Sequence, residues 1–327
     1  MPPRKETRLT IRFYPSQGST AISVPPIQKP IVQTPIYAKP QQTAKGLLFM
    51  AIGMFLFATV DTQAKFLTEA FNPVQIVWVR QIGLFVGVIV LLLMRGTHIL
   101  QTDHRKLQIL RGTFAAISPL CFVMAISFVP LADAIAVGFI APFIVTILGA
   151  TWLKERVGIH RWGAVIVGFI GTLIIIRPGL GAVHPAIFFV FIAASLFAAR
   201  QVLSRYLSTT DNTSTTMAYT ALTGSCLLTL LIPFFWQWPA EPLHLLLFAT
   251  ITISAAISEI FVVKALEITQ AVVLAPVQYS LIIWGTMYGF LVFGQLPDHW
   301  TWIGTAIIIA GGYYTFHREK LTQQKAS

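Results

Sequence analysis

Charged residues are scarce in this chain of 327 residues: they make up 11% of it, and Asp and Glu together number 12. Ordinary soluble domains carry about 25% charged residues. The chain is instead 55% hydrophobic, with a mean hydropathy of +0.73. No water-soluble fold of this size could bury so much apolar surface. The composition therefore excludes a soluble globular protein and predicts that the apolar residues face lipid or one another.

Motifs for nucleotide binding and hydrolysis are also missing from the sequence. It has no GxxxxGK[ST] stretch, which an ATP-driven pump needs for its phosphates, and no HExxH or GxSxG. The two cysteines, Cys121 and Cys226, lie inside apolar segments, where thiols are most often small packing residues. The seven histidines are scattered over segment ends and connections, which disfavours a metal cluster. No catalytic residue, cofactor or metal site is predicted.

Long apolar runs, broken by short polar turns, begin at Gly46. Most of them approach the ~20 residues that cross a hydrocarbon layer of about 30 Å. Residues 1–45 precede them as a basic, Pro-rich tail without helical period, which is predicted to be disordered. The ten predicted spans are 46–67, 74–94, 110–129, 134–153, 160–176, 186–203, 217–236, 243–263, 271–293 and 300–316.

The net charge of +11 comes from Lys and Arg residues that gather between the apolar runs. No basic stripe is interleaved with exposed aromatic residues, so nucleic-acid binding is not expected. Thirteen of these cations fall in the even-numbered connections and the C-terminal tail, whereas Arg177 alone falls in the odd-numbered connections. This bias predicts a multi-pass protein of the inner (cytoplasmic) membrane with both termini in the cytoplasm.

An internal repeat is found when the sequence is shifted by 140 residues. Lys65-Phe66-Leu67 then aligns with Arg205-Tyr206-Leu207, and Trp162 aligns with Trp302. One shift that holds along the chain indicates a duplication. Each copy contains five spans, and because five is odd the second copy must cross the membrane in the opposite orientation. The predicted fold is all-α and integral to the membrane, with ten transmembrane helices in two inverted five-helix repeats.

Several stretches carry a resemblance to a known family: Ala64-Lys65-Phe66-Leu67, Val129-Pro130-Leu131-Ala132-Asp133-Ala134, Leu153-Lys154-Glu155-Arg156, Ala275-Pro276-Val277-Gln278-Tyr279 and Phe293-Gly294-Gln295-Leu296-Pro297. Through them the chain resembles the EamA-type ten-helix carriers of the drug/metabolite transporter (DMT) superfamily. The resemblance implies one EamA-type repeat over 46–178 and a second over 184–319. It also implies carriage of amino acids, nucleotide-like metabolites, vitamins or drugs. Gln295 departs from the family, which usually has a glutamate there.

Ionisable residues inside the predicted spans are the first candidates for a binding site, because each costs about 2.5–3.5 kcal/mol at membrane depth. Asp61 and Lys65 lie four residues apart in the first span and hence on one helix face. They are interpreted either as cavity residues or as a structural ion pair. Arg80 in the second span and Glu259 in the eighth are predicted to contact substrate or protons, unless a neighbouring serine caps Glu259.

Aromatic and amide side chains supply further cavity candidates: Trp78, Gln278, Tyr279, Trp284 and Tyr288. Gln278 and Tyr279 follow Pro276, and a proline-broken turn lines a cavity more often than it faces lipid. The alternative for each aromatic residue is packing or an interfacial belt.

These features predict a secondary transporter that moves a small organic metabolite by alternating access, with the lipid bilayer as its environment. A proton is one candidate for the coupled ion. Two alternatives remain open. One is an integral membrane enzyme acting on lipids, for which Asp103-His104 is the only hint, and the other is a non-transporting membrane subunit. GxxxG pairs at Gly83/Gly87 and Gly285/Gly289 allow close helix approach, within one chain or in a homodimer.

Overall fold

The computed structural model describes residues 40–154, 158–177, 184–208, 210–269, 274 and 277–326. The predicted disordered tail lies outside the described residues up to position 39, and its last six positions already belong to a helix. The helices are α1 (Pro40–Leu67), α2 (Pro73–Arg95), α3 (Arg105–Ile126), α4 (Leu131–Gly138), α5 (Ala141–Thr151), α6 (Ile159–Ile176), α7 (Ile187–Leu207), α8 (Thr213–Leu231), α9 (Pro242–Ile268), α10 (Ser280–Phe293) and α11 (His299–Ala326).

The apolar helices have the lengths that a bilayer requires. Within the described residues, seven stretches are long and apolar enough to cross a membrane: α1 from Ala44, α2, α3, α4 with α5, α7, α8 with its short 3₁₀ extension, and α9 to Leu266. Shorter apolar stretches occupy α6 and α10. With α4 and α5 counted together and α11 added as the last, the described residues form ten successive helical segments, and the predicted all-α membrane fold is confirmed.

The fourth predicted span, 134–153, is not one continuous helix. The chain leaves the α-helix at Phe139 and Ile140, and α5 starts immediately before Pro142. Proline lacks the backbone N–H that would continue the hydrogen-bond ladder, and its ring disfavours a helix in the preceding turn. The break therefore follows from Pro142, which interrupts the fourth predicted span.

The packing of the helices repeats between the two halves. The counterpart of α1 is α7, and likewise α2 corresponds to α8, α3 to α9, α4–α5 to α10, and α6 to α11. α1 packs on α9 as α7 packs on α3, and α2 packs on α9 as α8 packs on α3. α1 also packs on α10 as α7 packs on α4–α5, while α6 packs directly on its counterpart α11. The two halves are therefore interleaved, and the interior of the bundle is lined by both of them.

Paired glycines hold α6 against α11. A Cβ atom added to Gly171 would lie 2.9 Å from the carbonyl oxygen of Gly304, and one added to Gly304 would lie 2.5 Å from that of Gly171. Such distances exclude any side chain, so the two backbones approach as closely as helices can. The last spans of the two halves, α6 and α11, are therefore packed against each other as a pair.

Consecutive spans run in alternate directions, so the bundle has two ends, and contacts join the connections at each of them. The Lys65 end holds the connections α1–α2, α3–α4, α6–α7, α8–α9 and α10–α11. The Arg95 end holds the remaining connections. The charged candidates in the interior lie between these two ends.

Candidate functional site

Asp61 on α1 and Arg80 on α2 form an ion pair inside the bundle. Asp61 Oδ1 lies 3.9 Å from Arg80 Nη1, and the side chains are 11% and 18% exposed, respectively. The guanidinium carbon of Arg80 lies 5.9 Å from the centre of the Phe57 ring, which adds a weak cation–π contact. Asp61 thus finds its cation on the neighbouring helix, and the alternative interpretation, a structural ion pair with Lys65, is wrong.

Lys65 lies one turn further along α1 and is 9% exposed. Its Nζ donates hydrogen bonds of 2.8 Å to the carbonyl oxygens of Ile126 and Val129, at and just after the end of α3. It also lies 5.4 Å from the Phe293 ring on α10. A cation is favoured beside the free carbonyls of a helix C-terminus. Lys65 therefore links α1 to the α3–α4 turn at its own end of the bundle.

Glu259 on α9 lies half-buried in the interior. Within the described part of the chain it makes neither a hydrogen bond nor an ion pair. The hydroxyl of Ser258 donates to the carbonyl oxygen of Ala255 at 2.8 Å, so it does not cap Glu259. The carboxylate instead interacts at longer range with the positive charges of Arg111 on α3 and Arg200 on α7.

Arg111 is held by hydrogen bonds to α7 and α8. Its Nε donates to the hydroxyl of Ser204 at 2.6 Å, and Nη1 donates to the carbonyl oxygen of Thr216 at 3.4 Å and to the hydroxyl of Thr220. These partners fix the guanidinium between three helices. Arg111 therefore contributes a stationary positive charge to the interior.

Arg200 is held much less firmly. It stacks on Phe197, with 4.9 Å from the guanidinium carbon to the ring centre. Among the described residues its guanidinium has no hydrogen bond or ion pair, and it interacts at longer range with the charges of Glu259, Arg80 and Arg111.

The thirteen cations counted in the even-numbered connections and the C-terminal tail included Arg111 and Arg200, and for these two the assignment was wrong. Both lie inside helices, Arg111 in α3 and Arg200 in α7. The predicted spans 110–129 and 186–203 already contained these positions, so the signal was present. It was overlooked because each arginine lies near a predicted span end, where a cation is ordinarily explained by the membrane interface.

Asp61, Arg80, Arg111, Arg200 and Glu259 together form what we call the central charge cluster. They come from α1, α2, α3, α7 and α9, and so from both halves of the chain. With all five ionised, three positive charges oppose two negative ones. A cluster of this kind inside a membrane protein marks a polar cavity or pathway.

Tyr288 and Trp284 lie against α1. The hydroxyl of Tyr288 is hydrogen-bonded to that of Thr59 at 3.0 Å, and the Trp284 ring meets Phe55 edge-on, with 5.1 Å between ring centres. The indole N–H of Trp284 is buried and has no partner among the described residues. These two aromatic residues therefore connect α10 to α1.

Three further predicted cavity residues are Trp78, Tyr279 and Gln278. Trp78 donates from Nε1 to Thr229 at 2.9 Å and meets Trp236 edge-on, so its ring is engaged between α2 and α8. Tyr279 stacks on Phe139 at 4.9 Å, beside the break between α4 and α5. Gln278 is half-buried next to it.

An ion pair between Arg177 and Asp298 joins α6 to the start of α11 at the Lys65 end. Partial burial raises the pKa of Asp298, but hydrogen bonds from Thr301 and the charge of Arg177 outweigh it, so the pKa lies below its ordinary value. A lowered pKa means that the pair contributes stability above the carboxylate range and loses it as pH falls through the lowered value. The link therefore persists at neutral pH.

Comparison with known families finds one family in both halves of the chain. The model of the EamA-like transporter family matches residues 44–177 and again residues 184–316. A crystal structure of a protein with 18% sequence identity aligns with a TM-score of 0.56 over 84% of this chain and 96% of that one. That likeness concerns the fold, and the double match of the family confirms the predicted repeat.

The chain is also similar to curated transporters. It is 29% identical to a riboflavin transporter of Vibrio cholerae over 269 residues, covering 81% of this chain and 90% of the relative. It is 23% identical to an S-adenosylmethionine uptake transporter of Rickettsia felis, covering 82% and 93%. It is 25% identical to a pseudopaline exporter of Pseudomonas aeruginosa, covering 81% and 93%. These relatives are small-molecule transporters, in agreement with the prediction that the chain is not an enzyme.

Proposed function

Because the chain belongs to the EamA-like transporter family, we propose that it is a secondary transporter that moves a small organic metabolite across the cytoplasmic membrane by alternating access. The observation that carries the proposal is the central charge cluster. Its charges come from both halves of the chain and lie inside the bundle, where each isolated charge is costly. A substrate bound there contacts both halves, so its binding can bias the way they pack.

The mirrored packing of the halves supports alternating access. Because α1 on α9 has its counterpart in α7 on α3, the rearrangement that opens one end of the bundle has an equivalent that opens the other. At the Lys65 end, opening would require Lys65 to release the carbonyl oxygens of Ile126 and Val129. The proposed cycle therefore exchanges one set of end contacts for the other around a fixed central site.

Transport is tested with the purified full chain in liposomes loaded with riboflavin, S-adenosylmethionine and a mixture of amino acids. We expect at least one of these compounds to exchange with the outside solution faster than it does in protein-free liposomes. The compounds in both compartments are measured by mass spectrometry. An Asp61→Asn/Arg80→Gln double variant that keeps its folded elution profile should lose the exchange. Folded protein that exchanges none of these compounds would instead support a non-transporting membrane subunit.

We further propose that both termini lie in the cytoplasm, so that the Lys65 end faces outward. Even without Arg111 and Arg200, the cations of the connections remain concentrated at the Arg95 end. Single cysteines are introduced at Glu69 and at Lys106, which are exposed at opposite ends, in a variant without Cys121 and Cys226. An impermeant thiol reagent added to intact cells should label position 69 and not position 106. The reverse pattern would invert the proposed orientation.

A further inference from the structure

We infer that Arg200 binds an anionic group of the substrate, a carboxylate or a phosphate, so that the transported molecule belongs to the class of metabolites that carry such a group. The inference rests on the transport function proposed above and names the substrate class of the same site. The sequence pattern did not identify Arg200 as a candidate residue. Its surroundings in the structure do.

The three arginines of the central charge cluster differ in the partners of their guanidinium groups. Arg80 has the carboxylate of Asp61 at 3.9 Å, and Arg111 has three hydrogen-bond acceptors on α7 and α8. Arg200 has neither kind of partner in the part of the chain that the structure describes. A guanidinium carries five N–H donors in a rigid fork, and inside a membrane protein an unsatisfied fork requires water or a ligand.

The Arg200 side chain is restrained, although its N–H donors have no partner among the described residues. Its guanidinium lies 4.9 Å from the Phe197 ring on the preceding turn of α7. Stacking on an aromatic face limits the guanidinium to few orientations and leaves its N–H edge open. A restrained fork loses little conformational freedom when it binds a planar carboxylate or a phosphate through two parallel hydrogen bonds.

The charges around Arg200 also favour an anionic ligand. Arg80 and Glu259 both act on Arg200, and Arg111 acts on Glu259. Because Asp61 is already paired with Arg80, Glu259 is the only acid of the cluster left to balance Arg111 and Arg200. The surroundings of Arg200 therefore carry an excess of positive charge, which attracts anionic or dipolar molecules and repels purely cationic ones.

The test uses two pairs of ligands whose members differ by one anionic group: riboflavin with its 5′-phosphate, and S-adenosylmethionine with its decarboxylated analogue. Binding to the full chain in lipid nanodiscs is measured by calorimetric titration and by the shift in melting temperature. In at least one pair, the member with the extra anionic group is expected to bind about tenfold more tightly, the ratio that one charge-assisted hydrogen bond supplies. Equal binding within both pairs, or no binding of any of the four, would reject the inference.

The variants Arg200→Gln and Arg200→Lys assign the preference to this side chain. Arg200→Gln should bind both members of a pair equally, whereas Arg200→Lys should keep a reduced preference, because lysine retains the charge but not the fork. Arg105→Gln, at an exposed arginine at the start of α3, is the matched control and should behave as wild type. If Arg200→Gln fails to fold, Arg200→Lys still decides: an undiminished preference would contradict the assignment.

The same ligands separate this inference from the proposed function. Anion-selective binding by a protein that exchanges nothing in liposomes would reject transport and leave the assignment of Arg200 standing. Exchange of substrates without any preference for the anionic member would reject the assignment alone.

Discussion

If Glu259 carries a coupled proton, Glu259→Gln should abolish proton-driven accumulation of substrate while leaving substrate exchange largely intact. With one proton coupled to each substrate, a gradient of one pH unit sustains about a tenfold accumulation, and the variant should bring this ratio to about one. Glu259 is suited to carry the proton because it has no ion-pair partner in the described structure, whereas Asp61 is held by Arg80 at 3.9 Å. Glutamine keeps the size of the side chain and removes its negative charge.

The charges around Glu259 give the physical reason for coupling. Arg111 on α3 and Arg200 on α7 attract its carboxylate, and the helices α1 and α2 that pack on α9 contribute the Asp61–Arg80 pair. An anion bound to Arg200 would remove part of this attraction and add repulsion. Proton and anion would then each favour the binding of the other, and this linkage is reciprocal.

The measurement compares accumulation under an imposed pH gradient with exchange at equal pH, in liposomes that contain the same amount of folded protein. Glu241→Gln is the control, because Glu241 is an exposed carboxylate just before α9. If Glu259 only binds substrate, both activities should fall together. Wild-type values of both in Glu259→Gln would remove Glu259 from the site.

Removal of one member of the Asp61–Arg80 pair should destabilise the protein more than removal of both. Asp61→Asn leaves Arg80 without its counter-charge beside Arg200, and Arg80→Gln leaves the Asp61 carboxylate without its cation. Loss of one partner of a buried ion pair costs about 3–5 kcal/mol at full burial, and the exposed fraction of these side chains places the expected cost below that range, at about 2 kcal/mol. The double variant should recover most of the loss.

Melting temperatures of the two single variants and the double variant form a complete cycle, measured in the same detergent. The coupling between the two sites is the difference between the loss of stability in the double variant and the sum of the losses in the two single variants. Glu69→Gln, at an exposed residue beyond the end of α1, serves as the control. If the two losses simply add, Asp61 and Arg80 act independently and the 3.9 Å approach is not an energetic contact.

Lys65 shows a limit of what sequence periodicity can predict. A separation of four residues places Asp61 and Lys65 on one helix face, and opposite charges at this spacing commonly pair. The long lysine side chain instead reaches the end of α3, where free carbonyl oxygens accept hydrogen bonds from its ammonium group. Helix geometry predicts which residues share a face, but it does not show which other helix end lies within reach.

The amino-acid sequence by itself determined the membrane fold, the ten spans and the duplication. These follow from local properties: apolar length against bilayer thickness, the distribution of cations, and a shift of 140 residues that aligns the halves. It also identified Asp61, Arg80 and Glu259, because any charge in an apolar run is conspicuous. None of these inferences requires knowledge of which helices are neighbours.

Only the tertiary structure decided how the charges are combined. The pairing of Asp61 with Arg80, the hydrogen bonds that immobilise Arg111, and the absence of such partners around Arg200 among the described residues all depend on contacts between helices far apart in the sequence. An arginine near a span end has the same local sequence context whether it faces the membrane interface or the interior. The packing of α3 and α7 against the other half turns Arg111 and Arg200 inward, because an interleaved bundle encloses residues that a single helix would leave at its surface.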